Sequence, residues 1–313
     1  MTCLLTAVLA ACLQRHVQTG QQLVMGLSGG IDSVVLLHAL AALCREGLSA
    51  LHVHHGLSPN ADRWAQTCAD YAEHLGVPFK CLSVVVERAS ADGFEAAARR
   101  ARHQAFAESK ADWIVLAHHR DDQAETLLFN LMRGTGIAGA AAMRERSGRL
   151  LRPLLTVGRD DIERYAAKHR LEWIEDESNA DTRHSRNFLR HGVLAPLTQR
   201  FPAAAKNLAG AAARFAEAQQ LLDALACADL GAVSDFPIPV DILRALDEPR
   251  ARNVLRYLLA QHAVQIPSEA RLREALRQMR TADIDRHPAM QLGDHRLVRR
   301  RGLIYLEEST DRR

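Results

Sequence analysis

The chain has 313 residues, 48% of them hydrophobic, which is enough for two domains with sizeable cores. Aromatic residues make up only 5%, so those cores must be built from Ala, Leu and Val, a composition suited to helices on a buried parallel sheet. A net charge of +3 is compatible with an anionic partner, and six cysteines without a CxxC pair argue against a disulfide framework or a structural zinc site and for a reducing compartment.

In chain order, Met1–Ala11 is apolar but lacks a basic flank, so it reads as an amphipathic helix rather than a secretory leader. Strand patterns at Leu23–Leu27, Ser49–His54, Phe79–Val86 and Trp113–Ala117 alternate with helical patterns at Asp32–Arg45, Ala61–Leu75, Phe94–Ser109 and Asp121–Met132. That alternation predicts an α/β fold with a doubly wound parallel sheet. Arg133–Gly139 is Gly-rich and reads as a ligand-facing loop, and Thr156–Arg170 as one more helix. The stretch 176–190 is too charged for a core. Ala203–Leu230, Pro249–His262 and Ser268–Met279 form a helical second half, and Ala289–Leu306 has strand-like runs. We place the domains at 1–195 and 196–313. No apolar run approaches the roughly 20 residues of a membrane span, so a cytoplasmic protein without a membrane partner is expected.

The segment Leu27-Ser28-Gly29-Gly30-Ile31-Asp32-Ser33 follows a strand and opens a helix. The loop removes side-chain bulk so that backbone N–H groups and the helix N-terminus can meet a phosphate, with the Ser33 hydroxyl as a further donor. No Lys follows the glycines, so it is not the loop that grips β- and γ-phosphates. Asp32 inside an anion site calls for Mg²⁺ between carboxylate and phosphate. A plain Gly-rich turn is the alternative. His52 and His54 end a strand at the sheet edge where ligands bind, or are merely core and surface residues. Asp121, Asp122 and Glu125 open a helix, where acidic residues also serve the helix dipole. Arg133, Arg152, Arg186 and Arg190 fall in motif-like segments and read as phosphate contacts.

The SGGxDS signature resembles that of the PP-loop ATP pyrophosphatases, which pass AMP to a carbonyl-type oxygen and let a nucleophile displace it. His52-Val-His-His-Gly-Leu57, Glu95-Ala-Ala-Ala-Arg99, Ala117–Thr126 with Arg133-Gly-Thr-Gly136, Arg152-Pro-Leu-Leu155, and Asp176–Asn179 with Arg186–Arg190 are similar, in order, to tRNA(Ile)-lysidine synthetases over about residues 20–200. The resemblance implies ATP and Mg²⁺ as cofactors, with Leu27 to Ser33, His54 and Arg99 around ATP and Asp32 on the metal. It implies Asp122 and Glu125 on free L-lysine, with Asp32, Arg99, Asp122 and Glu125 as the catalytic set. It places Arg133, Arg152, Arg186 and Arg190 toward a tRNA(Ile) with a CAU anticodon, and it implies a homodimer. The second domain would then be a mainly helical tRNA-binding unit. A tRNA thiolase, a small-molecule amidating synthetase and an inactive RNA-binding protein are the competing readings. The chain ends soon after Leu306, which fits a shorter family form or a piece of a longer one.

Overall fold

The computed structural model describes all residues except 1–2, 45, 57, 85–93, 176–180, 184, 266–267, 283–286 and 310–313, and the side chains of 94–99 and 103. Residues 1–216 and 217–313 form two compact units.

The first unit runs α1 (Leu4–His16), β1 (Leu23–Gly26), α2 (Ile31–Leu43), β2 (Leu48–His54), α3 (Ala61–His74), β3 (Phe79–Ser83), α4 (Phe94–Ala107), β4 (Trp113–Val115) and α5 (Arg120–Met132). A short α6 (Ile137–Ala140), the two-residue strands β5 (Arg146–Ser147) and β6 (Leu150–Leu151), and α7 (Arg159–His169) follow. Then come α8 (Ser185–Asn187), a π-helical turn at Phe188–Leu194 and α9 (Ala195–Arg200); α10 (Ala204–Leu230) begins in this unit and ends in the next. The sheet order is β3-β2-β1-β4-β6-β5. All pairings are parallel, as the expected doubly wound parallel sheet requires, except the β5–β6 edge, a short antiparallel hairpin.

The core follows from the sequence pattern. β1 and α2 are apolar on nearly every position, and Met25, Val35, Leu36, Leu37 and Leu40 are fully buried between α1 and the sheet. Parallel strands covered on both faces need such continuous apolar runs. The chain builds outward from β1 through β2 to β3, then crosses back to β4 on the other side. β1 and β4 therefore flank the switch point of the sheet, where the carboxyl-end loops diverge and leave a crevice for ligands.

In the second unit, α11 (Val240–Ala245), α12 (Glu248–Gln261) and α13 (Glu269–Thr281) pack with a four-stranded antiparallel sheet. Its order is β7 (Ile238–Pro239), β10 (Leu303–Glu308), β9 (His295–Arg300) and β8 (Ala289–Leu292). The sheet is thus larger than the expected strand-containing tail, because β7 joins it from the stretch between the Ala203–Leu230 and Pro249–His262 patterns, where no element is expected. No described helix is long and apolar enough to cross a membrane.

Candidate active site

Residues 27–30 turn from β1 into α2, and Ser33 organises that turn. Its Oγ accepts from the N–H groups of Ser28 and Gly29 at 3.2 and 3.1 Å and donates to the Gly30 carbonyl at 2.8 Å. Gly29 has φ +88°, and a Cβ there would lie 2.4 Å from Ile174 Cδ1, so two constraints demand glycine. Gly30 differs. Its φ of −70° suits any residue, and a Cβ would meet only Ser28 Oγ, at 3.7 Å. The backbone has no need of glycine at 30, so the space beside it is a cradle that a Cβ would fill.

Three helix N-termini converge on this turn. Asp32 sits in the first turn of α2, Asp121 and Asp122 in that of α5, and Arg159 opens α7. Arg159 Nη1 donates to both Asp32 oxygens at 3.0 and 3.1 Å, while its backbone N–H donates to Asp121 Oδ2 at 3.1 Å. His119 caps α5: Nδ1 accepts from the Asp121 N–H, and its own N–H donates to Asp122 Oδ2, a reciprocal capping box. His119 Nε2 lies 3.6 Å from Asp32 and 3.5 Å from Asp122. The guanidinium of Arg190, on the π-helical turn, donates from Nε to Glu125 Oε1 at 2.5 Å and from Nη2 to Glu125 Oε2 and Asp122 Oδ1 at 3.1 and 3.2 Å.

Electrostatics follow from burial. Desolvation raises the Asp32 carboxyl above its usual range, although His119 and Arg159 pull it back. Glu125 is likewise raised by burial against the opposing pull of Arg190. Burial draws His119 down, but Asp121, Asp122 and Asp32 more than compensate, so its imidazole is raised. Four carboxylates (Asp32, Asp121, Asp122, Glu125) face two guanidinium groups and the His119 imidazole, so carboxylates hold the majority in a mixed cluster.

Residues 5–197 match the PP-loop domain family, and residues 239–305 match the TilS substrate binding domain. The chain is 47% identical over 298 residues to a tRNA(Ile)-lysidine synthase of Aromatoleum aromaticum, covering 93% of this chain and 70% of that protein. It is 40% identical over 303 residues to that of Nitrosomonas europaea (93% and 66%), and 48% over 269 residues to that of Burkholderia pseudomallei (82% and 55%). The chain belongs to the tRNA(Ile)-lysidine synthase family. It spans between about half and seven tenths of these relatives' length. In fold it is similar to the U34-tRNA thiolase NcsA from Methanococcus maripaludis, with TM-score 0.56 and 16% identity over 68% of this chain and 78% of that one.

In this member of the family, the structure gathers Asp32, Asp122, Glu125 and Arg190 into one cluster beside the turn made by Ser28, Gly29, Gly30 and Ser33, while Ile31 is buried in the core. Arg190 lies on the carboxylates while its side chain stays 41% exposed, and Leu189 beside it is buried. Leu27 is buried, and its carbonyl accepts from His52 Nδ1 at 2.8 Å, which makes His52 a structural brace. Burial lowers that imidazole, keeping it neutral. His54 is half-buried and 3.0 Å from Asp62. Arg152, expected on phosphate, is turned inward: it is 6% exposed, and Nη1 donates to the Arg144 carbonyl at 3.0 Å. The guanidinium groups of Arg133 and Arg186 stack 5.3 and 6.0 Å over the ring of Phe129, one turn along α5 from Glu125. The side chains of Glu95 and Arg99, and residues 176–179, lie outside the described residues. Sequence reasoning missed His119 and Arg159. His119 stood in the quoted Ala117–Thr126 segment, but its cap role needs the α5 start, and Arg159 reaches Asp32 only through the fold.

Proposed function

We propose that this chain ligates lysine to C2 of the wobble cytidine of a tRNA(Ile) with a CAU anticodon, converting ATP to AMP and pyrophosphate, in the cytoplasm. The observation that carries it is the meeting of the Gly30 cradle, Asp32 and the Asp122–Glu125 pair in one crevice, in a chain of this family. The cytidine O2 attacks the α-phosphorus of ATP and pyrophosphate leaves. The lysine ε-amine then attacks C2, and AMP departs with O2. The loop N–H groups and the α2 N-terminus stabilise phosphate charge. Asp32 would hold Mg²⁺, which would shield the phosphate oxygens when bound; a half-buried carboxylate beside the open space at Gly30 fits that ion.

Arg190 marks the cation subsite with its own guanidinium. For lysine to use Asp122 and Glu125, Arg190 must share or leave that place. Glu125, with its raised carboxyl, is then the base that takes the amine proton, because a carboxylate nearer neutrality is a stronger base. Arg133 and Arg186, on the Phe129 face, are our candidates for tRNA contacts. A thiolase reading gains no support from Cys68, the thiol beneath Gly29: it is buried, and burial pushes it up to about 12, far from a thiolate. Pyrophosphate release tests adenylation. It should require ATP, Mg²⁺ and a tRNA with cytidine at the wobble position, and should be lost in Asp32→Ala. Release that is indifferent to the wobble base would overturn the reading.

A further inference from the structure

Arg159 holds the loop carboxylate itself, through Nη1 contacts of 3.0 and 3.1 Å to Asp32. Its Nε is tied to Glu163 at 2.8 Å, and its side chain is 40% exposed. The backbone beneath is fixed. A Cβ at Gly158 would sit 2.0 Å from Arg120 Nη2, so that guanidinium packs flat on the glycine, and the Arg159 N–H is bonded to Asp121. The residue is therefore a firmly anchored stem with a head able to swing.

A nucleotide-borne divalent cation arriving on Asp32 competes with the guanidinium, which now contacts both carboxylate oxygens, and the two like charges repel at such range. Once a cation takes Asp32, the Arg159 fork is released beside the Gly30 cradle and three helix N-termini. A planar guanidinium matches phosphate oxygens in two-point contact. We propose that Arg159 is a phosphate ligand held in reserve by Asp32, which turns to the β- and γ-phosphates, the departing pyrophosphate, when the cation arrives. The proposal rests on the ATP reading above.

Equilibrium ATP binding, with and without Mg²⁺, tests it without any turnover. Arg159→Ala should weaken Mg²⁺-dependent ATP binding by about tenfold or more, as expected for one lost charge-assisted contact. Arg159→Lys should recover part of that loss. If Arg159 touches phosphate, Arg159→Ala must also weaken ATP binding in an Asp32→Asn background; if it only steadies Asp32, that cost disappears there. In steady state the KM for ATP should rise while the KM for lysine stays, and an unchanged melting temperature for Arg159→Lys excludes misfolding. ATP binding unaltered by Arg159→Ala, or a cost absent from the Asp32→Asn background, overturns the proposal and leaves the function standing. A wild-type chain that binds no ATP overturns both.

Discussion

Glu125 and His119 show what burial does to single groups in this crevice. Glu125 is almost fully buried, and its carboxyl is raised by that burial while Arg190 opposes the shift. The sign follows directly. The protonated acid contributes stability below the unfolded value, and that contribution is lost as pH rises through the folded value, whereas a base must be ionised, so activity rises with pH. The acid limb of lysine transfer should therefore lie above the roughly 4.3 of a free glutamate. Arg190→Met removes the charge that holds Glu125 down and should move the limb further up; a limb that stays in place in single-turnover pH profiles would exclude Glu125 as the base. His119 makes a different contribution. As the N-cap of α5 its ring accepts from the Asp121 N–H, so His119→Ala should cost about 1 kcal/mol in urea denaturation, while His119→Asn, another good cap, should cost less.

At the scale of the element, the turn between β1 and α2 separates two glycines that look alike in sequence. Gly29→Ala meets both a left-handed φ and Ile174, so it should lower the melting temperature sharply. Gly30→Ala meets open space and should leave the melting temperature within a few degrees of the parent, yet raise the KM for ATP by filling the cradle. Equal thermal effects of the two would contradict this division of labour. Much of this level was legible beforehand. The strand starts at Leu23 and Trp113, the α5 start near Asp121 and the SGGxDS turn all follow from apolar periodicity and local turn chemistry. What was not legible is non-local. The β5–β6 strands have two residues each, too short for any period, and they exist because β4 offers an edge. The pairing of Arg190 with Glu125 spans 65 positions, and the grip of Arg159 on Asp32 spans 127. Charged residues in a polar run read as surface until the fold supplies their partners.

For the whole molecule, the net charge of +3 hides an uneven distribution. The crevice is acidic, suiting a metal ion and an amine, while Arg133 and Arg186 gather around the Phe129 ring in the same unit. If those arginines meet tRNA phosphates, affinity should fall by about tenfold or more between 50 and 200 mM salt through counterion release. Arg133→Ala should then flatten that slope while leaving ATP binding alone. A salt-independent affinity would move the RNA contacts away from charged side chains.

The most direct measurement is the transfer of labelled lysine to a tRNA(Ile) transcript bearing CAU, with ATP and Mg²⁺. Label should enter the tRNA only with ATP and a wobble cytidine, and should be lost in both Asp32→Ala and Glu125→Gln. Lysine-independent pyrophosphate release without any label in the tRNA would contradict the assignment of Asp122 and Glu125 to the amine, and label entering a tRNA with another wobble base would contradict the proposed substrate.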